Sequence, residues 1–547
     1  MAVIQGSTTG LKASQVRALE RIYRRRLPPE RVISGELARY LTELSFELRR
    51  QIGLIIDRQG VIQHVILGDD REIVIPDLSR FGLGRSGLRG LRCVHTHLRG
   101  EPLSQDDIND LSLLRLDLMV AIGVDEAGLP GPADVAHLLP PNPEGRTYEV
   151  QHFDDFYRLD LDFAAFVQSL DDELERRAEE TVDLEDGRER AILVSVSREN
   201  RQQVEDSLDE LEELARTADV QVLDRVVQRA HKIHPRYLMG EGKMREVIIR
   251  ALQQRATLLV FDQDLAPAQV AAIAALTELK VIDRTQLILD IFARRAHTRD
   301  GKVQVELAQL KYILPRLTGR GTAFSRLMGG IGGRGPGETK LEIDRRRIRD
   351  RIRRLEKQLN ELTRGRVQRR QRRIRAGVPV VSIVGYTNAG KSTLLNALTQ
   401  SATFTEDLLF ATLDTASRRL RFPSEREIII TDTVGFIRQL PKSLFGAFRA
   451  TLEELEDADL LLHLVDISTP GFEGRMASVD RILQELELQH LPRLLVFNKI
   501  DRVDPVEAEN VCRRFGALPI SALDRRSFVP LLEEMERRFW PEEKSTS

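Results

Sequence analysis

The residues most able to do chemistry form a glycine-rich loop at 385–392, whose sequence follows the pattern G-x-x-x-x-G-K-S. Such a loop binds phosphate because backbone N–H groups and a helix N-terminus point at the β-phosphate. Lys391 would reach the β- and γ-phosphates, and the Ser392 hydroxyl would ligate Mg²⁺. We expect the whole loop to contact a nucleotide: Gly385, Tyr386, Thr387, Asn388, Ala389, Gly390, Lys391 and Ser392.

Three shorter motifs farther along the chain indicate that the base is guanine. The Asp432 carboxylate can hold the Mg²⁺ shell through water, and the Gly435 N–H can sense a γ-phosphate. Asp501 can accept the N1 and N2 hydrogens of guanine, which adenine cannot offer. The motifs are Asp432-Thr433-Val434-Gly435, Asn498-Lys499-Ile500-Asp501 and, in a loop whose backbone would read O6, Ser521-Ala522-Leu523. One D-x-x-G alone is as often a turn, but the ordered set predicts a GTP-binding domain.

Strands must position these motifs, and each motif follows an apolar run that predicts one. The runs are residues 380–384, 428–431, 494–497 and 518–520, and residues 393–398 predict a helix start after the phosphate loop.

Residues 191–300 alternate between strand and helix patterns, which predicts a small parallel α/β domain. The expected strands are 192–196, 220–226, 257–262 and 280–282, and the expected helices are 203–218, 242–252 and 266–276. The run G-E-G-K at 240–243 resembles half a phosphate loop, but no Ser or Thr follows it. We therefore favour a tight turn and helix start there over a second nucleotide site.

The net charge of −2 over 547 residues conceals a strongly basic segment. Residues 311–375 contain 21 Lys and Arg against six Asp and Glu, a local net charge of +15. Phosphate contacts release counterions and strengthen with local positive charge, so an anionic polymer is the expected partner. A solvated charged helix is the alternative, but the excess is too one-sided for pairing along a helix to neutralise it.

The basic segment also has two apolar seams, which predict an antiparallel helical hairpin. The seam residues are Val303, Leu307, Leu310 and Leu314 before Pro315, and then Leu341, Ile348, Ile352, Leu355, Leu359 and Leu362. Residues 319–337 between them contain eight glycines, together with Arg320, Arg326 and Arg334. Glycine lets the backbone approach a partner closely, so we expect an RNA-contacting loop rather than a linker.

Several stretches in the second half of the chain are informative as a set. They are Y-L-M-G-E-G-K at 237–243, V-I-D-R-T at 281–285, I-L-D-I-F at 288–292, V-E-L-A-Q at 305–309, G-I-G-G-R-G-P-G-E at 330–338 and D-T-V-G-F-I at 432–437. Together they resemble the HflX family of ribosome-associated GTPases, which is related to the Obg group. The resemblance covers about residues 190–540. It implies binding to the large ribosomal subunit or the 70S ribosome, and the splitting or rescue of stalled ribosomes.

The resemblance also assigns residues to catalysis. A run similar to the family's switch I is Phe410-Ala411-Thr412-Leu413-Asp414, which makes Thr412 the Mg²⁺ and γ-phosphate ligand, with Thr415 as the alternative. We expect Lys391, Thr412 and Gly435 to be catalytic, and Ser392 and Thr412 to bind the metal. Phe436 occupies the position of a water-orienting glutamine in Ras-like enzymes, so slow intrinsic turnover is expected. Asn388 is similar to a K⁺ ligand of related GTPases; simple loop packing is the equal alternative.

Residues 1–185 lie outside that resemblance and contain a possible metal site. His95, His97, Ser104 and Asp107 resemble the H-x-H…S-x-x-D site of JAMM metallopeptidases, with one residue fewer between His97 and Ser104. Two imidazoles and a carboxylate could hold Zn²⁺, with Glu43 or Glu47 as general base. We slightly favour histidines that bind no metal and are ordinary core or surface residues, and metallopeptidase activity is the outlying hypothesis.

These patterns predict an α/β protein in four parts. An α+β domain and acidic linker would span 1–185, a small α/β domain 190–300, the basic hairpin 301–375 and a P-loop GTPase domain with a C-terminal helix 376–547. With no apolar run that could cross a membrane, no secretory leader and only Cys93 and Cys512, we expect a cytoplasmic monomer, with loose membrane association left open. The expected function is ribosome-associated GTP hydrolysis, and a GTP-switched RNA or ribosome-assembly chaperone is the alternative.

Overall fold

The computed structural model describes residues 3–140, 142, 144, 146–181, 188–317, 340–399, 416–422, 424–433, 435–438 and 455–541. They divide into two compact units. The first contains Met1–Arg190 and Met239–Thr257, and the second contains Ala191–Leu238 and Leu258–Ser547. Within the described part of the chain, no helix is both long and apolar enough to span a bilayer.

The strands, in chain order, are β1 (Ile4–Gln5), β2 (Ile52–Asp57), β3 (Ile62–Leu67), β4 (Leu91–His97), β5 (Leu118–Val124), β6 (Pro130–Leu138), β7 (Tyr148–Phe153), β8 (Glu189–Ser197), β9 (Val220–Arg229), β10 (Leu258–Phe261), β11 (Lys280–Asp283), β12 (Val380–Gly385), β13 (Ala416–Arg421), β14 (Glu427–Asp432), β15 (Leu460–Asp466), β16 (Arg493–Asn498) and β17 (Leu518–Pro519).

The α-helices are α1 (Ala13–Ile22), α2 (Gly35–Leu48), α3 (Gln105–Leu114), α4 (Phe163–Thr181), α5 (Arg201–Thr217), α6 (Glu241–Gln253), α7 (Pro267–Ala274), α8 (Arg284–Arg295), α9 (Arg299–Ile313), α10 (Lys340–Ala376), α11 (Lys391–Thr399), α12 (Phe472–Glu485), α13 (Pro505–Phe515) and α14 (Val529–Phe539). Short 3₁₀ turns lie at Phe156–Arg158, Leu314–Arg316, Ile500–Arg502 and Arg525–Phe528.

The first unit is built on a seven-stranded sheet with the order β1-β3-β2-β4-β5-β6-β7. The pairs β1–β3 and β4–β5 are parallel, and the other neighbours are antiparallel. Successive side chains of a strand point to opposite faces, so Leu54 packs in one apolar cluster with Leu41 and Ile55 in another with Leu111. Helices therefore cover both faces, which explains why β5 is apolar throughout and β2 is apolar up to Asp57.

The second unit contains two sheets. Its smaller sheet has the order β11-β10-β8-β9, with β10 parallel to both β8 and β11. The larger sheet has the order β13-β14-β12-β15-β16-β17 and is parallel except for β13. The expected α/β class and P-loop architecture are confirmed, and every strand predicted ahead of a motif is present.

The helices α9 and α10 pack against each other along the two predicted seams. Val303 and Leu307 form a buried cluster with Ile352 and Leu355, and Leu355 is fully buried. Arg351 donates twice to Glu306, at 2.7 and 2.8 Å. The glycine-rich residues 319–337 lie outside the described residues, so their expected RNA contact stays a prediction.

Candidate functional site

The phosphate loop joins β12 to α11, in the middle of the larger sheet. Two of its glycines are required by close approach. A Cβ on Gly385 would lie 2.3 Å from the Leu464 carbonyl oxygen, and one on Gly390 would lie 2.4 Å from Asn498 Nδ2. Gly390 also has φ +90°, a value that favours glycine. Residues at the ends of neighbouring strands thus leave no room for a side chain at either glycine.

Lys391 is 6% exposed and folded onto the loop. Its Nζ donates to the carbonyls of Gly385 at 3.2 Å and Tyr386 at 2.8 Å. Burial lowers the pKa of Lys391 to about 8, although the Asp432 carboxylate acts to raise it. An ammonium with so little hydration gains strongly from an anion, so a phosphate is a favourable partner for it.

Ser392 and Asp432 provide a pair of oxygen ligands beside the lysine. The Ser392 hydroxyl donates to Asp432 Oδ2 at 2.6 Å, and Asp432 is 1% exposed at the end of β14. Mg²⁺ prefers hard oxygens and keeps most of its water, so a hydroxyl and a buried carboxylate fit it. The neighbouring Thr433 hydroxyl instead donates to Ile383 O at 2.6 Å, which gives it a structural role.

The segment after Asp432 is fastened to the phosphate loop through its backbone. Phe436 N donates to Gly385 O at 3.1 Å, and Phe436 O accepts from Thr387 N at 2.7 Å. A Cβ on Gly435 would lie 2.9 Å from Lys391 Nζ, so a side chain at that position would collide with the site. The Phe436 ring is buried in the core, where it cannot orient a water molecule.

The base motifs meet the phosphate loop at one buried amide. Asn498 Nδ2 donates to Ala389 O at 2.8 Å, and Asn498 Oδ1 accepts from Ala522 N at 2.9 Å. This single side chain ties the loop at 385–392 to the loop at 521–523. Asp501 follows on an exposed 3₁₀ turn, where its carboxylate is accessible to a base.

Lys499 is held in place beside this junction by an acidic partner. It has φ 63°, and its Nζ lies 2.7 Å from Asp466 Oδ2. Burial alone would raise the pKa of Asp466, but the Lys499 ammonium and the Ser468 hydroxyl lower it below its ordinary value. The aliphatic stem of Lys499 is thereby fixed along the edge at which a base would lie.

Other predicted site residues have no described structure. Phe410, Ala411, Thr412, Leu413, Asp414 and the alternative Thr415 lie outside the described residues, as does Val434. The expected roles of Thr412 in metal binding and catalysis therefore stay predictions.

The histidine motif of the first unit comes together where β4 ends and α3 begins. His95 Nε2 lies 2.9 Å from His97 Nε2 and 3.3 Å from Asp107 Oδ1, and the three potential ligand atoms lie within 4.8 Å of one another. His97 Nδ1 contacts the Glu101 carbonyl at 2.7 Å, which leaves Nε2 as the lone-pair nitrogen. Burial and then His95 lower the pKa of His97, which favours the neutral ligand form.

Asp107 is held as a carboxylate in the same cluster. Burial acts to raise its pKa, but His95 and the Ser104 hydroxyl hold it below the ordinary range. The two general-base candidates each have a side-chain partner: Glu43 accepts from Arg39 at 2.7 Å and Glu47 accepts from Gln15 at 2.8 Å. Two imidazoles and a carboxylate fit Zn²⁺.

Glu210 is a residue at the nucleotide loop that the sequence motifs did not reveal. It lies on α5, 8% exposed, and accepts a hydrogen bond from the Tyr386 hydroxyl of the phosphate loop. The only sequence signal is an acidic residue beside the apolar stripe of a helix that includes Leu208 and Leu211.

Comparisons with known proteins find related GTPases. Three family models match: a GTP-binding GTPase N-terminal region at residues 205–293, a GTP-binding GTPase middle region at 295–373 and a 50S ribosome-binding GTPase at 380–499. The chain is 47% identical over 360 residues to the GTPase HflX of Caldanaerobacter subterraneus subsp. tengcongensis, covering 66% of this chain and 83% of the relative. It is 45% identical over 322 residues to the GTPase HflX of Escherichia coli K12, covering 59% and 75%.

A solved structure also aligns with the chain. It is that of a GTP-binding protein from the hyperthermophilic archaeon Sulfolobus solfataricus in complex with GDP, at 24% identity, 64% coverage of this chain and 98% of that chain. Its TM-score of 0.35 is too low to support an inference.

Proposed function

The chain belongs to the HflX family of GTPases, with 47% identity over 83% of a member's length, and on that premise we propose which residues bind GTP and what the enzyme acts on. It binds and hydrolyses GTP. We assign the nucleotide to the loop at 385–392, with the base between Lys499, Asp501 and the loop at 521–523. The Asn498 junction carries this assignment, because it joins a phosphate-binding loop to a base-binding loop through one buried side chain.

Hydrolysis in this site depends on position and charge. Mg²⁺, once bound, would neutralise the phosphate oxygens. Ser392 and Asp432 would hold it, directly and through water respectively, together with Thr412 of switch I. Lys391 would exchange two backbone carbonyls for phosphate oxygens, and the Gly435 N–H would face the γ-phosphate. Since Phe436 is buried, this chain itself offers no side chain at that position to orient the attacking water.

Replacement of Ser392 by Ala tests the site. The variant should lose Mg²⁺-dependent binding of a fluorescent GTP analogue, because a neutral methyl group replaces a metal ligand. Ser478→Ala is a matched control, since this buried serine donates only to Gly474 O of its own helix. Equal Mg²⁺ dependence in Ser392→Ala and wild type would remove Ser392 from the metal site.

A second cation is tested by measuring GTP turnover in different salts. Asn388 is exposed in the phosphate loop with φ 60°, where its amide oxygen could ligate K⁺. Turnover that is faster in K⁺ than in Na⁺, and loses this difference in Asn388→Ala, supports a K⁺ site. Equal rates in both salts assign Asn388 to loop packing.

We propose the large ribosomal subunit, alone or within the 70S ribosome, as the partner, with the basic hairpin as the contact. Arg347 and Arg353 of α10 have side chains 77% and 75% exposed, close to Asp344 and Asp350. Arg346 and Arg349 are exposed as well, so positive charge exceeds negative charge on the solvent side of this helix. Each phosphate contact adds about 0.7 to 0.9 to the slope of log affinity against log salt.

Co-sedimentation with purified subunits across a salt series tests this contact. Replacement of Arg345, Arg346, Arg347 and Arg349 by Gln should weaken binding and flatten the salt dependence without changing GTP affinity. A control with the same loss of charge replaces Arg513, Arg514, Arg537 and Arg538 of the G domain. If both quadruple variants bind like wild type at every salt concentration, the contact lies outside α10.

We further propose that ribosome binding leads to splitting or rescue, by a monomer in the cytoplasm. Light scattering of 70S ribosomes should fall when the protein and GTP are added. Constant scattering with continued subunit binding would favour the alternative, a GTP-switched chaperone of RNA or ribosome assembly. Sedimentation equilibrium and cell fractionation, including the membrane fraction, test the oligomeric state and location.

A second function is favoured by the His95, His97 and Asp107 cluster, which we propose as a Zn²⁺ site. We propose a structural role for this metal, because Glu43 and Glu47, the two general-base candidates, are exposed and hydrogen-bonded to other side chains. Protein purified without chelators should contain one zinc per chain by mass spectrometry, and His95→Ala with His97→Ala should contain none. The control, His137→Ala with His152→Ala, changes two other histidines of the same unit. Metal-free wild-type protein would contradict the proposal.

A further inference from the structure

One buried carboxylate of the smaller α/β domain reaches the nucleotide machinery directly. Glu210 lies on α5 and uses its two oxygens differently. Oε2 accepts from Arg284 at 2.7 Å within its own domain. Oε1 accepts from the Tyr386 hydroxyl and, at 3.2 Å, from Arg438 N. Tyr386 is the second residue of the phosphate loop, and Arg438 lies three residues after Gly435.

The Oε2 side of the Glu210 carboxylate is fixed by Arg284 and the groups bonded to it. Arg284 is 3% exposed and bridges Glu210 to Asp262, and Asp262 in turn accepts from Ser195 and Ser207. Burial alone would lower the pKa of Arg284, but Glu210 and Asp262 raise it above its ordinary value. A buried charge network of this kind keeps one arrangement, because loss of any partner leaves a charge unpaired.

The Oε1 side of the Glu210 carboxylate accepts from a neutral donor, the Tyr386 hydroxyl. Burial and then the Glu210 charge raise the pKa of Tyr386 well above its ordinary value, so the phenol keeps its proton and donates it. Hydrogen bonds from neutral donors to buried carboxylates are about twice as strong as those between neutral groups.

Tyr386 and Arg438 both belong to backbone segments that position Lys391 and Gly435. The Tyr386 carbonyl accepts from Lys391 Nζ at 2.8 Å. Tyr386 and Phe436 form a parallel β-bridge, and Arg438 continues the same segment. A movement of either residue therefore displaces the lysine, the glycine N–H, or both.

We propose that Glu210 is a positioning residue for GTP hydrolysis, which aligns the phosphate loop and the segment after Gly435 from outside the G domain. It touches neither the nucleotide nor the reacting atoms. The inference rests on the proposed nucleotide site but is independent of the ribosome. The G domain would consequently depend on the preceding α/β domain for turnover, beyond what its own motifs supply.

The test compares Glu210→Gln, Tyr386→Phe and the double variant in the full chain, with kcat and KM for GTP and Kd for GDP measured separately. Each single variant should lower kcat about tenfold, the effect of one charge-assisted hydrogen bond. GDP keeps the β-phosphate contact of the loop but has no γ-phosphate for the Gly435 N–H to face, so its Kd should change by a smaller factor than kcat does. The double variant should be no slower than the worse single variant, since both remove the same interaction.

Glu212→Gln is the matched control. It makes the same substitution on the same helix, where the Glu212 side chain is 44% exposed and accepts from Arg225. Its kcat should equal that of wild type. Tyr386→Phe removes only a hydroxyl, and thermal unfolding of every variant identifies any that fails to fold.

Wild-type kcat in both single variants, or effects that multiply in the double variant, would overturn the role of Glu210. An equal loss of GDP and GTP binding would also overturn it, because it would indicate a purely structural contact. An error in the proposed nucleotide site would instead be detected by the Ser392→Ala experiment, so failure of that site and failure of the Glu210 proposal can be told apart.

Discussion

Asp501→Asn should change which base the enzyme prefers without changing its stability. Asp501 is exposed on the turn after β16 and its carboxylate faces no partner that folding requires among the described residues. Exposed substitutions of this kind alter the free energy of unfolding by about 0.5 kcal/mol or less. The amide of the Asp501→Asn variant, however, has one oxygen and one NH₂ group, so it can accept a hydrogen bond from only one of guanine N1 and N2. Its NH₂ group would face the other nitrogen, which is also a donor.

The expected loss follows from two hydrogen bonds to a charged acceptor. Such bonds contribute about 1.5–3 kcal/mol each, and solvent at an exposed carboxylate favours the lower figure. A total of about 3 kcal/mol weakens GTP binding by about 150-fold. Xanthine carries an oxygen at the position of the N2 amine, so XTP should bind the variant better than GTP does.

The assay is competition against a fluorescent guanine nucleotide, with urea unfolding of the same samples. Asp504→Asn is the control, because Asp504 only caps α13 by accepting from Val506 N and Glu507 N, and asparagine caps nearly as well. Unchanged GTP affinity in Asp501→Asn, or an equal loss in Asp504→Asn, would refute the assignment of the base pocket.

Three further predictions concern the buried groups. Phe436→Gln should not accelerate hydrolysis, because the side chain points into the core; it should instead lower the free energy of unfolding by about 3–5 kcal/mol in urea. Burial lowers the pKa of Lys391 from its ordinary value of 10.5 to about 8 in the folded protein. The buried charge therefore lowers the free energy of unfolding by its full amount below pH 8, and it has no effect above pH 10.5, where the lysine is neutral in both states. Lys391→Met should therefore raise the unfolding free energy of nucleotide-free protein at pH 7, with a gain that shrinks by pH 10; a gain that grows with pH would contradict the burial argument. Leu355→Ala should cost about 2–5 kcal/mol in the packing of α9 on α10 and weaken ribosome binding, while GTP affinity stays constant.

Much of the nucleotide site could be predicted because its signals are local. The run at 380–384 predicts a strand that the structure has at Val380–Gly385, and the run at 428–431 predicts one found at Glu427–Asp432. Short-range periodicity determines such elements, and parallel strands then bring their ends to one edge. Even the turn at 240–243 behaves as expected, since Gly240 precedes the first residue of α6.

Contacts between distant segments could not be predicted in this way. Glu210 and Tyr386 are 176 positions apart, and neither belongs to a pattern that includes the other. The same holds for α6, which was expected within an α/β domain at 190–300 but is grouped with the first unit. A single sequence shows which face of a helix is apolar, but not which neighbour covers it.

The most direct test of the central claim is GTP turnover by the full chain at saturating GTP and Mg²⁺, with and without purified large ribosomal subunits. Because Phe436 is buried and leaves the attacking water without a side-chain partner at that position, the protein alone should be slow. Subunits should raise kcat about tenfold or more, in proportion to the fraction of protein bound. The same kcat with and without subunits, at concentrations where binding is complete, would contradict the account of a ribosome-dependent GTPase.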